Sequence, residues 1–450
     1  MTERTQHGGA GALLYRLVDI RPEEVRAALL SGAYFFFVLT SYYILRPIRD
    51  EMGAAGGVEN LPWLFTGTLA GMLLAQPLFA ALVAKMPRKR FIPLTYRFFM
   101  LNLLLFFVAL RVLPEPQHVW IGRVFFIWAS VFNLFVVSVF WAFMADLFRR
   151  EQGKRLFGFI GLGGTIGAIT GAGLTAFFVE RIGSINMLIV SLVFLEIAVW
   201  CVMALGKHAR DPRAEPEPGA ESADSESVIG GSIWSGITHV MRSPYLLGIC
   251  LYMLLFTVGS TFLYIAQADI INQNFTDRDE RTAFFASLDL AVNVLTLLTQ
   301  AFLTGRILKW LGVAVTLALL PMLSVLGFVA LGAAPTLAIF VVFQVLRRAG
   351  NYAVARPTRE VLFTVVPREE KYKAKSFIDT FVYRVGDQVG AWSYAALLAL
   401  GLSLSAISFT AVPISAAWLA ISLWLGRRNA AMRDARETPV AAQAPAPANP

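Results

Sequence analysis

The sequence predicts an all-α integral membrane protein, with about 12 transmembrane helices in a six-plus-six arrangement. Three observations predict it. Long apolar stretches recur throughout the 450 residues, and about 20 such residues suffice to cross a bilayer core. Charged residues make up only 15% of the chain and hydrophobic ones 57%, whereas soluble domains are about a quarter charged. Arginines and carboxylates interrupt the apolar stretches or sit at their ends. Charges at that depth are costly in lipid, so they face a bundle interior or a water-filled cavity.

The expected spans are 27–47, 61–84, 93–113, 120–146, 155–179, 184–206, 244–270, 283–304, 311–333, 336–359, 376–400 and 404–426. Residues 1–26 read as a polar, amphipathic N-terminus without the short apolar core and small-residue cleavage site of a signal peptide, so span one is expected to be an uncleaved anchor. The first six spans form an N-terminal half, 27–206. Residues 207–243 contain HARDPRAEPEPGAESADSESVIGG, rich in Pro, Glu, Ser and Ala, the composition of a flexible linker. The C-terminal half is 244–426, and the tail 427–450, ending in PVAAQAPAPANP, is expected to be disordered.

Loop charge sets the orientation. Lys85, Arg88, Lys89 and Arg90 follow span two, and Arg149, Arg150, Lys154 and Arg155 follow span four. Arg306 and Lys309 follow span eight, Arg368, Lys371, Lys373 and Lys375 follow span ten, and Arg427 and Arg428 close span twelve. The opposite loops are short or of mixed charge. This asymmetry places both termini and the linker in the cytoplasm. It also accounts for the net charge of +9 without invoking nucleic acid. A bacterial inner membrane is the expected location. Cys201 and Cys250 lie in apolar stretches and read as small buried hydrophobes. His7, His118, His208 and His239 are scattered, and no metal or other cofactor is expected. The plan as a whole resembles the major facilitator superfamily, and the basic turns after spans two and eight occupy matching places in the two halves, as a pseudo-repeat requires.

Five segments carry the charged residues of interest. Span one is expected to end at YYILRPIRDE (42–51), where Pro47 kinks or terminates the helix. Arg46 and Arg49 share a face. Either they reach the outer interface and pair with Asp50 and Glu51, or at least one meets an anion in the pathway. At the end of span four, Asp146 lies near Arg149, Arg150, Lys154 and Arg155, as a cytoplasmic gate or a topology signal. Span five carries Gly161, Gly163, Gly164, Gly167, Gly171 and Gly173, a stripe for close helix approach. A phosphate loop would need a preceding strand and a Lys-Ser/Thr ending, and the segment has neither.

In span ten, Arg347, Arg348 and Asn351 fall near mid-membrane, followed by Arg356, Pro357, Arg359 and Glu360. Each central arginine costs roughly 3 kcal/mol to insert, which favours at least one facing the pathway. In span eleven, Asp379, Tyr383, Arg384, Asp387 and Gln388 recur at three- and four-residue steps as a polar stripe. That stripe either lines water or reflects pairing of Arg384 with the flanking aspartates. Asp289 and Asn293 could mark a similar face of span eight, with Glu196 and Asp269 as single candidates.

Four blocks resemble the ATP/ADP translocases of plastids and intracellular bacteria, a distant branch of the major facilitator fold: YYILRPIRDE, FWAFMADLF with QGKRLFGFIGLG, PTREVLF and KAKSFIDTFVYRVGDQVGA. They are collinear over about 30–400. The resemblance implies roles for Arg46 and Arg49, for Lys154 and Arg155, for Arg359 and Glu360, and for Lys375, Asp379 and Arg384. It also shows departures. Arg49 and Arg359 stand where members tend to have lysine, and Asp387 stands where the fourth block usually has one. Arginine keeps the charge but changes the donor geometry.

The leading expectation is a secondary active transporter moving an organic anion, specifically a nucleotide or similar phosphate ester, by alternating access. The substrate-binding candidates are Arg46, Arg49, Arg347, Arg348, Asn351, Arg359, Tyr383 and Arg384. The gating or proton-coupling candidates are Asp146, Lys154, Arg155, Asp289, Glu360, Lys375, Asp379 and Asp387. Two other readings stand beside it: a proton-coupled transporter or exporter of an unrelated solute, and a non-transporting scaffold or sensor of the same fold. No nucleophile–base pair points to an enzyme. The expected partners are the small anionic solute and the lipid bilayer, and the protein is expected to be monomeric.

Overall fold

Among the described residues, apolar runs bounded by glycine, proline and arginine become helices that fall into twelve stretches of the chain. They are α1 (Val25–Ala55), α2 (Leu61–Lys85), α3 (Arg88–Val112), α4 (Glu115–Leu147), α5 (Arg150–Ile182), α6 (Ser184–His208), α7 (Pro244–Asn274), α8 (Arg278–Phe302) and α9 (Thr304–Ala333). Span ten is α10 (Leu337–Gly350), a π-helical turn (Asn351–Ala355) and α11 (Arg356–Leu362). Span eleven is a second π-helical turn (Ile378–Val382) leading into α12 (Tyr383–Ala399), and span twelve is α13 (Leu404–Ala441). The structure, a computed structural model, describes residues 20–85, 88–208, 240–241, 243–367, 374–375 and 377–441. Most of the expected linker and the first nineteen residues of the expected N-terminus lie outside these. Among the described residues, ten helices are long and apolar enough to cross a membrane.

Three boundaries differ from expectation. Helix α1 does not end at YYILRPIRDE but runs through Pro47 to Ala55. A proline removes one backbone donor and crowds the preceding turn, and here the flanking helix is held by packing, with Ile44, Leu45 and Ile48 fully buried. Span nine begins at Thr304, and its start is kinked at Gly312, whose φ of 68° favours glycine. The last helix runs to Ala441, so the first part of the expected disordered tail is helical and 442–450 lies outside the described residues.

The chain forms two compact units. Unit 1 comprises Met1–Gly219 and Phe275–Asn293; unit 2 comprises Ala220–Asn274 and Val294–Pro450. This departs from a strict division at the linker, because α8 begins in unit 1 and ends in unit 2.

Within unit 1, α1 is the central helix. The glycine stripe of α5 packs on it: a Cβ on Gly163, Gly167 or Gly171 would collide with the backbone carbonyl oxygens of Gly32, Phe36 and Thr40, respectively. The two backbones approach closely enough for the Thr40 hydroxyl to donate to the Gly167 carbonyl at 3.2 Å. On other faces α1 meets α6 through a Ser41–Ser191 hydroxyl pair at 2.8 Å, and α4 through Phe35 stacked on Phe140 at 4.1 Å between centroids. Small-residue packing of this kind holds helices together where lipid offers no hydrophobic drive.

Within unit 2, α7 plays the corresponding part. Gly386 and Gly390 of α12 lie against Thr257, Val258 and Thr261 of α7. Tyr252 and Phe256 of α7 surround the fully buried Trp418 of α13. Tyr245 ties three spans together: its hydroxyl donates to the Leu362 carbonyl at 2.8 Å and accepts from Asn429 at 2.9 Å.

Candidate functional site

The charged residues gather in two places, one in each unit. In unit 1 they lie on the C-terminal half of α1 and the start of α8. Arg49 donates through Nε to Asp50 at 2.9 Å. Arg46 lies 3.4 Å from Asp289 and 4.0 Å from Asp50. Both arginines are largely buried, and each guanidinium rests over an aromatic ring, Arg46 over Tyr43 and Arg49 over Phe126. The expectation that they reach an interface and pair with Asp50 and Glu51 therefore holds only for the Asp50 contacts.

Glu51 has other partners. It is 1% exposed, and its two oxygens accept from Arg278 at 3.1 Å and Arg281 at 3.0 Å. Close by in sequence, Asp279 accepts from the Ser184 backbone N–H at 2.8 Å. These contacts tie the first half of α8 into unit 1. Sequence reasoning missed Arg278 and Arg281; the only signal was the charged run DRDER heading an apolar span.

At the other end of unit 1, Asp146 is exposed at the end of α4. Arg155 pairs at 3.0 Å with Glu24, just before α1, and Gln152 donates to the same oxygen at 2.9 Å. Glu24 was also missed. Lys154 lies on the first turn of α5, and its side chain is outside the described residues. Of the single candidates, Glu196 is held by Arg97 and Trp200, and Asp269 accepts from Gln273.

In unit 2, Arg347 is 4% exposed. Its guanidinium donates to the Ser324 hydroxyl at 3.1 Å, the Ser260 hydroxyl at 2.9 Å and the Phe256 carbonyl at 3.2 Å, and lies over the Phe256 and Trp418 rings. It thus sits among α7, α9, α10 and α13, inside the unit. Among the described residues none of its partners is a carboxylate. Its neighbour Arg348 is half-buried, and Asn351 opens the first π turn.

Farther along, three cations each meet one acid. Arg359 lies 3.3 Å from Asp379, Lys375 lies 2.5 Å from Glu360, and Arg384 lies 3.2 Å from Asp387. Asp387 is buried and also accepts from Thr261 at 3.4 Å. The Arg384 guanidinium lies 5.8 Å from the Tyr383 ring centroid. Of the two readings of span eleven, the pairing of Arg384 with a flanking aspartate is seen for Asp387. The π turn at Ile378–Val382 inserts a residue into the helical register, and Asp379 pairs across to α11 while Asp387 keeps Arg384.

Chemically, the arrangement offers guanidiniums whose acids an incoming anion can replace. Arginine and phosphate match as bidentate partners.

Comparison with known proteins gives a consistent picture. The family model for the Major Facilitator Superfamily matches residues 27–391. The chain is 21% identical to "ADP,ATP carrier protein 1" of Chlamydia pneumoniae, covering 99% of both chains. It is 20% identical to "ADP,ATP carrier protein 1, chloroplastic" of Arabidopsis thaliana, covering 94% of this chain and 77% of that one. Among solved structures, a bacterial homologue of the human lysosomal transporter Spinster, inward-facing and unoccupied, aligns with a TM-score of 0.58 at 13% identity, over 91% of this chain and 99% of that one. The nucleoside transporter NupG aligns with a TM-score of 0.53 at 11% identity, over 90% and 99%. These structural likenesses establish the fold.

Proposed function

Because the chain belongs to the Major Facilitator Superfamily, we propose that it is a secondary transporter whose cargo is an organic phosphate anion, a nucleotide in particular, carried by alternating access. The observation that carries the proposal is Arg347. Unit 2 buries a guanidinium and, among its described residues, supplies hydroxyls, a carbonyl and aromatic rings to it but no acid. Burying a charge without a counter-ion is costly. Its field is lowered when an anion arrives nearby. The curated relatives, named as ADP,ATP carriers, favour a nucleotide as that anion.

In this reading Arg347, Arg348 and Asn351 set the potential of span ten, and Arg359, Tyr383 and Arg384 contact the anion. Arg46 and Arg49 act in the same way from unit 1. The acids Asp289, Glu360, Asp379 and Asp387 are the partners released when substrate binds, or the acceptors of a coupling proton. Asp146, Lys154, Arg155 and Lys375 belong to gates. No step needs covalent chemistry. The loop charges support cytoplasmic termini and an inner-membrane location, with 207–243 linking two six-span halves in a monomer.

The test is counterflow in proteoliposomes. Vesicles preloaded with ADP should take up labelled ADP or ATP, and Arg384→Gln should slow that uptake at least tenfold. Uptake of another phosphate ester without uptake of any nucleotide would keep the anion and discard the nucleotide. Uptake of neither would remove the reading.

A further inference from the structure

Unit 2 contains an open cavity of about 380 Å³ lined by Gln300 of α8, Tyr352 of the first π turn, and Arg356, Pro357 and Glu360 of α11. Its volume falls in the range of small-molecule sites, roughly 300–1,000 Å³. The π turn helps to build it. The Tyr352 carbonyl accepts from the Gln300 side chain at 3.2 Å, and the Ala353 carbonyl accepts from the Thr304 hydroxyl at 2.8 Å. The irregular backbone is thereby tied to the end of α8 and the start of α9.

The charges of this cavity do not cancel. Glu360 stands one helical turn after Arg356 and would be its ordinary partner. Instead, Lys375 holds Glu360 at 2.5 Å. Among the described residues Arg356 has neither an ion pair nor a hydrogen bond, and it is exposed. It lies toward the C-terminal end of Leu337–Val365, a stretch long and apolar enough to cross a membrane. It lines the open cavity, and an arginine in an apolar span ordinarily faces a bundle interior or water rather than lipid. The cavity thus combines a free cation with the flat apolar surfaces of Tyr352 and Pro357. Inorganic phosphate would use only the cation; a planar ring carrying phosphate uses both.

We propose that this cavity is a binding subsite for a nucleoside phosphate, with Arg356 taking the phosphate and Tyr352 with Pro357 flanking the ring. It is separate from the buried Arg347 and rests on the nucleotide reading above. It adds a cation and an aromatic residue to the substrate path that the charged pairs do not include.

The test is titration calorimetry of the full-length protein in phosphatidylcholine nanodiscs with ADP, tripolyphosphate and adenosine. Arg356→Gln should weaken ADP and tripolyphosphate about tenfold to a hundredfold, the loss expected for one charge-assisted contact, and leave adenosine unchanged. Tyr352→Leu should weaken ADP and adenosine and spare tripolyphosphate. Arg356→Lys, with an unchanged unfolding temperature, should recover part of the ADP affinity. ADP binding equal in the wild type, Arg356→Gln and Tyr352→Leu would overturn the subsite and leave the nucleotide reading intact; no ADP binding by the wild type would overturn both. In nanodiscs with added phosphatidylglycerol, a loss confined to lipid-dependent stabilisation, with ADP affinity unchanged, would assign the cavity to a lipid headgroup and overturn the proposal.

Discussion

The two units differ in how they hold their most deeply buried arginines. In unit 1, Arg46, Arg49, Arg278 and Arg281 each lie against a carboxylate supplied by α1 or α8. In unit 2, Arg347 is as deeply buried as any of these and is met by hydroxyls, a carbonyl and rings. An arginine already held by an acid must release it before meeting an anion, whereas Arg347 has no acid to release among the described residues. The same residue type is therefore acid-paired in one place and not in the other, and the distinction lies in its partners rather than in its depth.

The sharpest way to break this comparison is to remove the balancing acid from unit 1. Glu51→Ala leaves Arg278 and Arg281 facing a site with no acid. Loss of one member of a buried pair costs about 3–5 kcal/mol. A large fall in the unfolding temperature in detergent is expected, with Glu51→Gln falling less because its amide still accepts hydrogen bonds. An unchanged unfolding temperature for Glu51→Ala would show that the cluster is already relaxed by water.

The complementary change adds an acid to unit 2. The Ser324 hydroxyl is 3.1 Å from Arg347 Nε, so Ser324→Asp places a carboxylate where unit 2 has none. Thermal stability should hold or rise, while ADP affinity falls at least tenfold because the charge is neutralised from within. A variant that unfolds no earlier and still binds ADP like the wild type would reduce Arg347 to a staple among four helices.

Much of the fold could be read from the chain alone. Spans of apolar residues bounded by arginine, glycine or proline locate nearly every helix, because insertion length is a property of a local segment. The glycine stripe of α5 was legible for the same reason: small residues spaced along one face have few other uses in lipid. The π turns were not legible, since one added residue leaves hydropathy unchanged while rotating everything beyond it. Asp379 pairs with Arg359 of α11 rather than with Arg384, whereas Asp387, beyond the turn, keeps Arg384 three residues before it. Nor were the partners of Glu51 legible. Glu51 meets arginines 227 and 230 positions away, and no local pattern marks that pairing. Its neighbour Asp50, by contrast, pairs with Arg49 within its own helix, and that contact was expected.

The smallest effect is predicted at the outer edge of unit 1, and it separates depth from pairing. Arg155 and Glu24 form an ion pair at 3.0 Å like those of Glu51, but Glu24 is 5% exposed against 1% for Glu51 and meets one arginine where Glu51 meets two. Partly exposed pairs are screened by water and contribute about 0–1 kcal/mol. The Gln152 side chain and the Arg21 backbone N–H also donate to Glu24, so Arg155→Gln leaves Glu24 with two hydrogen bonds. A fall in unfolding temperature well below that of Glu51→Ala is expected, and it should shrink further in high salt. A fall as large as that of Glu51→Ala would mean that pairing alone, and not burial, sets the energetic weight of these charges, and the contrast between the two units would then need a different cause.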